Sequence, residues 1–498
     1  MRRMISFAIA AIMLLSMLNG CTGDIAEAEM EVYHTYNERD GEGTWTFGFG
    51  VQPIVAEGHE DGTDLYIAGY NSGWYASGYM DRRFIATYQN GQNWKDMPED
   101  PDYSEARAIW MDAGAGGVLL IGIDCVGLSK TVVDGIRDRL FALCSETGCI
   151  SVNVFATHSH ASADSLGLWG PLAVEGKNDD YMEALTEAAV KAAELAVANR
   201  RQGELRFGKI ETEGMIYDSR DPQVYDPNLY QLRFAAADGG NGARLLFYGA
   251  HAESMRGDNT MLSRDFPGLM CDVVEMRTGD PAMFLPGAIG GLMYTNILTD
   301  GYFDAMENME LTGLEMARYA LSIRPENETV IPAELSLART LFTAPMDNPM
   351  YMYLKFLGIL GNEVIEGESS TGYMVRTEMS ILRLGELHIV MMPGEIFPEL
   401  VSGKEYHYYG TEGENPTPLK DIAAEYGVEN LLIIGLCNDE LGYIVPPSDF
   451  LLNETMPYVE KTEDPTGENH YEETNSCGPE TARVIADVFG SLLAALAE

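Results

Sequence analysis

The sequence predicts one large α/β domain with mixed β-sheets flanked by helices, and three observations carry that reading. From Trp45 onward, short apolar runs of strand length alternate with longer amphipathic segments of helical period. Hydrophobic residues make up 46% of the 498 and charged residues 22%, which permits a large core and excludes wholesale disorder. The prior for this length is roughly three domains. Yet no repeat, low-complexity tract or convincing linker divides the chain after residue 45.

The first element is an address. Arg2 and Arg3 precede a nearly unbroken apolar run from Ile5 to Leu18, the charged and apolar regions of a bacterial export signal. The run ends in Leu18-Asn19-Gly20-Cys21, which resembles a lipobox, so residues 1–21 are expected to be a lipoprotein signal peptide with Cys21 as the lipidated new N-terminus. Several acyl chains on one cysteine anchor a protein stably to a membrane surface, and the expected location is an extracytoplasmic, cell-membrane lipoprotein. Residues 22–45 are acidic and without apolar periodicity, which predicts a tether, and residues 46–498 form the domain.

Within the domain, residues 118–123 and 150–156 read as buried strands. Ser129 is placed to cap a helix between them that carries Val132, Val133, Ile136, Leu140 and Leu143 on one face. A second helix, rich in Ala and Glu, spans 181–199. Further strands are expected at 205–210, 230–235, 243–248, 334–341, 379–384, 387–392 and 431–436. Gly478-Pro479 opens a last helix with Val484, Val488, Leu492 and Leu496 as its core stripe. Residues 349–360 are apolar around almost the whole helical circumference, which predicts a buried helix; the alternative is a Met- and Tyr-lined lip for an acyl chain. Cys144 and Cys149 are near enough for a local disulfide in an exported protein, whereas Cys125 and Cys437 sit in apolar runs as buried thiols.

Charge narrows the function. Asp and Glu number 77 against 32 Lys and Arg, a formal charge of −45, so no nucleic acid is expected as a partner. No segment beyond the signal offers the roughly 18 consecutive apolar residues of a membrane span.

The polar residues at strand ends carry the chemistry. Strand 150–156 runs into Thr157-His158-Ser159-His160, whose imidazoles at i and i+2 point to one side. Strand 243–248 runs into His251-Ala252-Glu253-Ser254-Met255, and strand 387–392 into Pro393-Gly394-Glu395. Strand 431–436 runs into Asn438-Asp439-Glu440-Leu441-Gly442-Tyr443. Ligand sites of α/β sheets favour such rims, and a set of nitrogen and oxygen donors without thiolate suits Zn²⁺. There is no HExxH helix, so a thermolysin-like protease is not indicated.

These motifs resemble the catalytic domain of the neutral/alkaline non-lysosomal ceramidases. That family carries Thr-His-Thr-His-Ser, His-Gly-Thr-Ser-Met, a Pro-Gly-Glu turn, and a late Asn-x-x-x-x-Tyr followed by Tyr-Glu-Gly-Ala. Here the same order runs through His158, His251, Glu395 and Asn438 to Tyr443, then Tyr471-Glu472-Glu473-Thr474, over most of residues 46–490. The resemblance implies a Zn²⁺ site with His158, His251, Glu395 and Tyr443 as ligands and His160 beside the metal for proton transfer. It also implies a site arginine at Arg220, in Asp218-Ser219-Arg220-Asp221-Pro222, and an outer tyrosine at Tyr471 that reaches the amide. The function it implies is zinc-dependent hydrolysis of an amide in an N-acylated, ceramide-like lipid, with an amphipathic amide or lipid as substrate.

Two departures bear on substrate. The family's Gly-Asp-x-Ser-Pro-Asn loop corresponds to Gly290-Gly291-Leu292-Met293-Tyr294-Thr295, with Met293 in the serine's place and Gly291 in the aspartate's. The chain also stops after the catalytic region, without the family's C-terminal β-sandwich. The alternatives are a metal hydrolase of the same fold acting on another ester or amide, and a non-catalytic surface lipoprotein. Cys21→Ala is expected to move the protein out of the membrane fraction; equal retention of the variant on cell fractionation would count against the anchor.

Overall fold

The computed structural model describes residues 30–36, 44–81, 101–114, 116–291, 294–295, 305–403, 406, 408 and 414–497. Cys21 and Met293 lie outside them.

In chain order the main elements are β1 (Glu31–Tyr36), β2 (Trp45–Pro53), β3 (Glu105–Asp112), β4 (Gly117–Ile123), α1 (Lys130–Thr147) and β5 (Cys149–Ala156). They continue with α2 (Asp179–Ala198), β6 (Arg201–Glu211), β7 (Asn228–Ala236), β8 (Ala243–Tyr248), α3 (Asp265–Thr278), β9 (Ala282–Pro286) and α4 (Ala305–Ser322). The C-terminal part holds β10 (Thr329–Ile331), β11 (Glu334–Pro345), α5 (Pro349–Phe356), β12 (Glu363–Glu366), β13 (Tyr373–Leu384) and β14 (Leu387–Met391). Then come α6 (Pro398–Ser402), α7 (Leu419–Glu425), β15 (Asn430–Ile434) and α8 (Thr481–Ala497).

Two mixed sheets result. The larger runs β9-β8-β7-β6-β2-β3-β4-β5 with β10 on β6, and the smaller runs β1-β11-β13-β14-β15 with β12 on β13. The parallel neighbours are β4 with β5, β8 with β9, and β14 with β15. Side-chain alternation assigns each strand's two faces to different layers. Phe47, Ile109, Leu120, Leu245 and Phe247 of the large sheet meet Leu335, Leu337, Leu382, Ile389 and Ile434 of the small one in a dry interior. The opposite face of the large sheet is covered by α1 and α2 through Trp110, Ile121, Val154, Ile136 and Leu185, and by α3 and α4 through Leu246, Phe266 and Met316. Ile381 and Val390 on the outer face of the small sheet pack against Ile485 and Phe489 of α8. The expectation of one α/β body with mixed sheets flanked by helices is met, as four layers.

The Ala-rich pattern of α2 has a packing reason. A Cβ at Gly48 or Gly50 of β2 would lie 2.0 and 2.1 Å from the carbonyl oxygens of Ala196 and Ala192, so helix and strand meet backbone to backbone.

Several expectations need correction. Residues 31–36, inside the expected tether, are strand β1, paired antiparallel with β11 from Glu31↔Arg339 to Tyr36↔Glu334. Their pairing satisfies backbone groups along an open sheet edge, a tertiary effect that local polarity conceals. Ser129 occupies the N-cap of α1, but its side chain makes no capping bond; the Asp439 carboxylate instead accepts from Lys130 N at 2.8 Å. The stripe of α8 is turned toward Ile485, Phe489, Leu492, Leu493 and Leu496, with Val484 and Val488 at its margins. Cys144 and Cys149 are free thiols in hydrogen-bond contact, and Cys125 and Cys437 are buried as expected. Helix α5 is not buried all round, because only Met352 enters a core, a small one with Ala344, Val375 and Leu441.

Buried carboxyls give the fold a pH signature. Burial raises Asp124 and Asp439 to about 6, and Asp218 and Glu472 to about 7. Unfolded carboxyls titrate near 4, so these groups bind protons more readily in the fold. Their contribution is complete below about pH 4 and is lost as pH climbs through 6 to 7. In chelator, the urea midpoint is therefore expected to be higher at pH 5.5 than at pH 8; the reverse order would contradict the assigned shifts.

Candidate metal centre

Four strand ends, two from each sheet, open onto one cavity of about 780 Å³. Strand β5 delivers the first pair of imidazoles. Beyond Ala156, Thr157 N donates to Ile123 O at 2.9 Å and Ser159 N to Cys125 O at 3.1 Å. Between those two bonds His158 takes a left-handed backbone, φ +63°, which turns its ring inward. Its Nδ1 lies 2.6 Å from Val126 O. That contact makes Nδ1 the protonated nitrogen and leaves the Nε2 lone pair for the cavity. His160 N donates to Ala252 O at 2.9 Å, tying this loop to the one after β8.

The loop after β8 carries His251. It is held by Asp265 at the start of α3, whose carboxylate accepts from Ser254 N at 3.2 Å, Met255 N at 3.1 Å and the Ser254 hydroxyl. From the small sheet, Glu395 N donates to Gly442 O at 3.0 Å, and the two-residue strands Glu395–Ile396 and Tyr443–Ile444 pair in parallel. This register sets Glu395 directly beside Tyr443. Asn438 joins the sheets: its N donates to Val154 O at 2.7 Å, and its Oδ1 accepts from Val154 N at 3.0 Å.

The side chains then converge. Glu395 Oε2 lies 3.0 Å from His251 Nε2 and 3.3 Å from His158 Nε2. His160 Nε2 lies 3.1 Å from His158 Nε2. One ligand atom from each of His158, His160 and His251 falls within 4.8 Å of the others, so this group can hold a metal ion. Burial alone would raise Glu395, but attraction and hydrogen bonds from His158 and His251 take it well below the usual carboxylate range. Burial, with the neighbouring imidazoles, pushes His160 well below an ordinary histidine. Burial and the Glu395 charge push Tyr443 up. Tyr471, raised chiefly by burial, lies with its hydroxyl 3.2 Å from that of Tyr443.

The structure thus brings together His158, His160, His251 and Glu395, with Tyr443 and Tyr471 in the wall of the same cavity. Arg220 is placed elsewhere. The resemblance implies a substrate-facing arginine, but this guanidinium is 3% exposed and does not line the cavity. It lies 3.2 Å from Glu473, 3.1 Å from Asp449 and 3.8 Å from Glu472, and sits over the Phe397 ring at 5.5 Å. It braces the segments that carry Tyr471 and Glu395.

Sequence reasoning assigned no role to Tyr70, Glu253 or Glu440, which also line the cavity. Glu253 and Glu440 stand inside the motifs, and an acid in place of the family's threonine is a signal at Glu253; Tyr70 comes from an irregular stretch that offers none. The remaining wall is mixed: Leu166, Leu168, Trp169, Tyr351 and Leu360 give it an apolar part, beside the polar Ser72, Ser254, Arg256, Asn362 and Asn475.

Fold and site define a two-sheet α/β scaffold with a His/Glu centre at its strand ends. No protein-family model matches the chain, and no curated protein does. Among solved structures it is similar to neutral ceramidase from Pseudomonas aeruginosa, with a TM-score of 0.67 and 18% identity over 92% of this chain and 75% of that one. It is similar also to a ceramidase complexed with C2, with a TM-score of 0.66 and 16% identity over 91% and 75% of the two chains. The chain has the fold of the neutral ceramidases.

Purified protein is expected to carry about one zinc per chain. His158→Ala and His251→Ala should each lose it, whereas His59→Ala, on a turn outside every motif, should keep it. Full occupancy in both motif variants would overturn the ligand assignment.

Proposed function

We propose that the chain is a zinc-dependent hydrolase of an amide bond in an N-acylated, ceramide-like lipid, held at the outer face of a cell membrane through Cys21. The observation that carries this reading is the convergence of three imidazoles and one carboxylate at a partly apolar cavity on a ceramidase fold. The donor set fits zinc, because it is all nitrogen and oxygen, and every cysteine among the described residues lies outside it. His158, His251 and Glu395 would hold the ion, with Tyr443 next to Glu395 as the further ligand that the resemblance implies. A zinc ion so held supplies Lewis acidity and a water made acidic enough to attack near neutral pH.

The other residues act on the substrate. Burial keeps the Tyr471 hydroxyl protonated well past neutrality, so it is a donor for a carbonyl oxygen that gains charge in the transition state. Such a donor is commonly worth about 3 kcal/mol of barrier. Arg220 braces the segment that carries that hydroxyl by holding Glu472 and Glu473, the two residues after Tyr471. Helix α5 serves as the lip considered in the sequence. Tyr351 and Leu360 line the cavity, and Phe356 and Leu357 between them in sequence are 65% and 46% exposed. Across the mouth, Lys177 Nζ donates to Ile359 O at 3.2 Å, next to the loop whose Leu172 is 92% exposed. Exposed apolar side chains beside the apolar part of the wall suit an acyl chain. The proposed anchor is the lipidated Cys21, at the end of the lipobox-like run.

The sequence carries Met293 where the family carries serine, and the donor set does not include that position. Wild type is expected to cleave some N-acyl amide in a chelator-sensitive manner, and ceramide poorly. Met293→Ser with Gly291→Asp should raise the ceramide rate at unchanged zinc content. A panel of fluorescent ceramide, other N-acyl amides and esters, assayed with and without chelator, tests this. Zinc-loaded protein that turns over nothing, before or after the loop change, would favour the non-catalytic lipoprotein.

A further inference from the structure

Three segments that line the cavity also leave large apolar side chains in solvent. Residues 65–80 give Tyr70 to its wall, residues 165–174 give Leu168 and Trp169, and residues 348–362 give Tyr351 and Leu360. The same segments hold Trp74, Tyr75, Leu172, Val174, Phe356 and Leu357, which are between 44% and 92% exposed. The segments adjoin one another. Gly73 N donates to Trp169 O at 2.7 Å, and a Cβ on Gly167 would lie 3.2 Å from the Ile359 side chain. They are also free of negative charge. In a chain with 77 acids among 498 residues, the three contain no Asp or Glu, and Lys355 is their one basic residue. Exposed apolar side chains gathered in this way mark a contact surface.

The direction of β1 shows what that surface meets. Strand β1 pairs antiparallel with β11, Glu31 opposite Arg339 and Tyr36 opposite Glu334. Going back from Tyr36 to Glu31 therefore follows β11 toward Pro345, and so toward α5. Arg339 to Pro345 is about 20 Å of strand. The chain from Cys21 to Glu31 can span up to about 33 Å. A lipidated Cys21 can thus lie level with α5, at the end of the molecule where the cavity opens. We infer that the acid-free surface seats the cavity mouth on a zwitterionic phospholipid bilayer, the one that holds the acyl chains of Cys21. This rests on the lipoprotein reading and adds a second, oriented contact to it. A chain of net charge −45 is repelled by anionic surfaces and approaches a bilayer best where it carries no acid. Trp74 and Tyr75 suit the headgroup level, whereas Leu172, Val174, Phe356 and Leu357 suit the acyl boundary below it. A lipid amide could then pass from bilayer to cavity without crossing water.

Phosphatidylcholine vesicles carrying the full lipidated chain test the seating. Leu172→Trp and Phe356→Trp place a fluorescent probe at exposed positions, so the fold is kept. Brominated phosphatidylcholine should quench both. It should not quench Phe141→Trp, exposed on α1 about 16 Å along the helix from Lys130, whose backbone N–H is held by Asp439 at the cavity end. Probes at 172 and 356 that stay as bright as the one at 141 would overturn the inference. Mass spectrometry of the purified chain reads the anchor separately, and a chain without acyl groups would overturn the Cys21 reading alone. The surface is then judged by partition of that unacylated chain from solution into the same vesicles. Leu172→Asp combined with Phe356→Asp should lower this partition by at least about tenfold. Equal partition of the double variant would overturn the seating. A dimer in solution that the double variant dissolves, with no quenching by brominated lipid, would assign the surface to a second copy of the chain and overturn it as well.

Discussion

One oxygen of Glu395 lies within 3.3 Å of both His158 and His251, and the carboxylate and the imidazoles come from different sheets. The imidazoles follow β5 and β8 of the large sheet, whereas the carboxylate follows β14 of the small one. This contact forms only when the sheets stack with those strand ends level. The apolar layer between them sets that level, through side chains such as Phe247 and Leu285 on one side and Ile389 and Ile434 on the other. A packing layer of near-crystalline density transmits position rather than absorbing error, so the site inherits its precision from residues that never touch it. The architecture and the centre are in this sense one structure.

The loops add the rest. Left-handed backbone occurs at His158, Leu436, Asn438 and Asp265, each a residue with a Cβ and each beside the centre. Such conformations cost of order 1–3 kcal/mol apiece and persist where neighbours over-determine them. Here the neighbours are identifiable. Asn438 is bonded on both sides of Val154, Leu436 N donates to Gly394 O at 3.2 Å, and Cys437 N donates to Met392 O at 2.8 Å. Strain collected at the His and Glu loops, and held there by bonds within the small sheet and from Asn438 to the large one, is what a preorganised site requires.

The strands and the ligand-bearing loops were legible because burial on both faces writes a continuous apolar run, and a polar cluster after such a run marks a strand end. The run at 243–248 coincides with β8 to the residue. What the sequence concealed was pairing between distant segments. Nothing local in Glu31–Tyr36 announces that β11 lies alongside, and nothing near Arg220 announces the carboxylates of Asp449 and Glu473 more than two hundred residues away. Helix α5 was ambiguous for a related reason: an apolar surface reads the same whether it meets a core or an open cavity. Glu253 is visible as a residue of the His251 motif, but the Tyr70 hydroxyl that donates to it at 2.7 Å arrives from a stretch with no periodic signal.

The electrostatics of the cavity close the argument. Three acids line it, Glu253, Glu395 and Glu440, and its one guanidinium among the described lining residues, Arg256, is exposed to solvent. Burial and the nearby Glu395 charge push the Glu440 carboxyl well above the usual carboxylate range. Glu395 goes the other way and stays ionised, with its compensation drawn from imidazoles. Yet His160 is driven toward its neutral form by the same burial and by those imidazoles. Protons on the histidines thus satisfy one carboxylate at the expense of mutual repulsion among three rings whose centroids are 4.6, 4.7 and 5.5 Å apart. A divalent cation resolves both demands at once, because it neutralises the carboxylate while leaving every imidazole uncharged. A site assembled only to stabilise the fold would gain more from apolar residues of equal volume, since desolvating such a cluster costs several kcal/mol per ion. The arrangement makes physical sense as a place where a positive ion can be held.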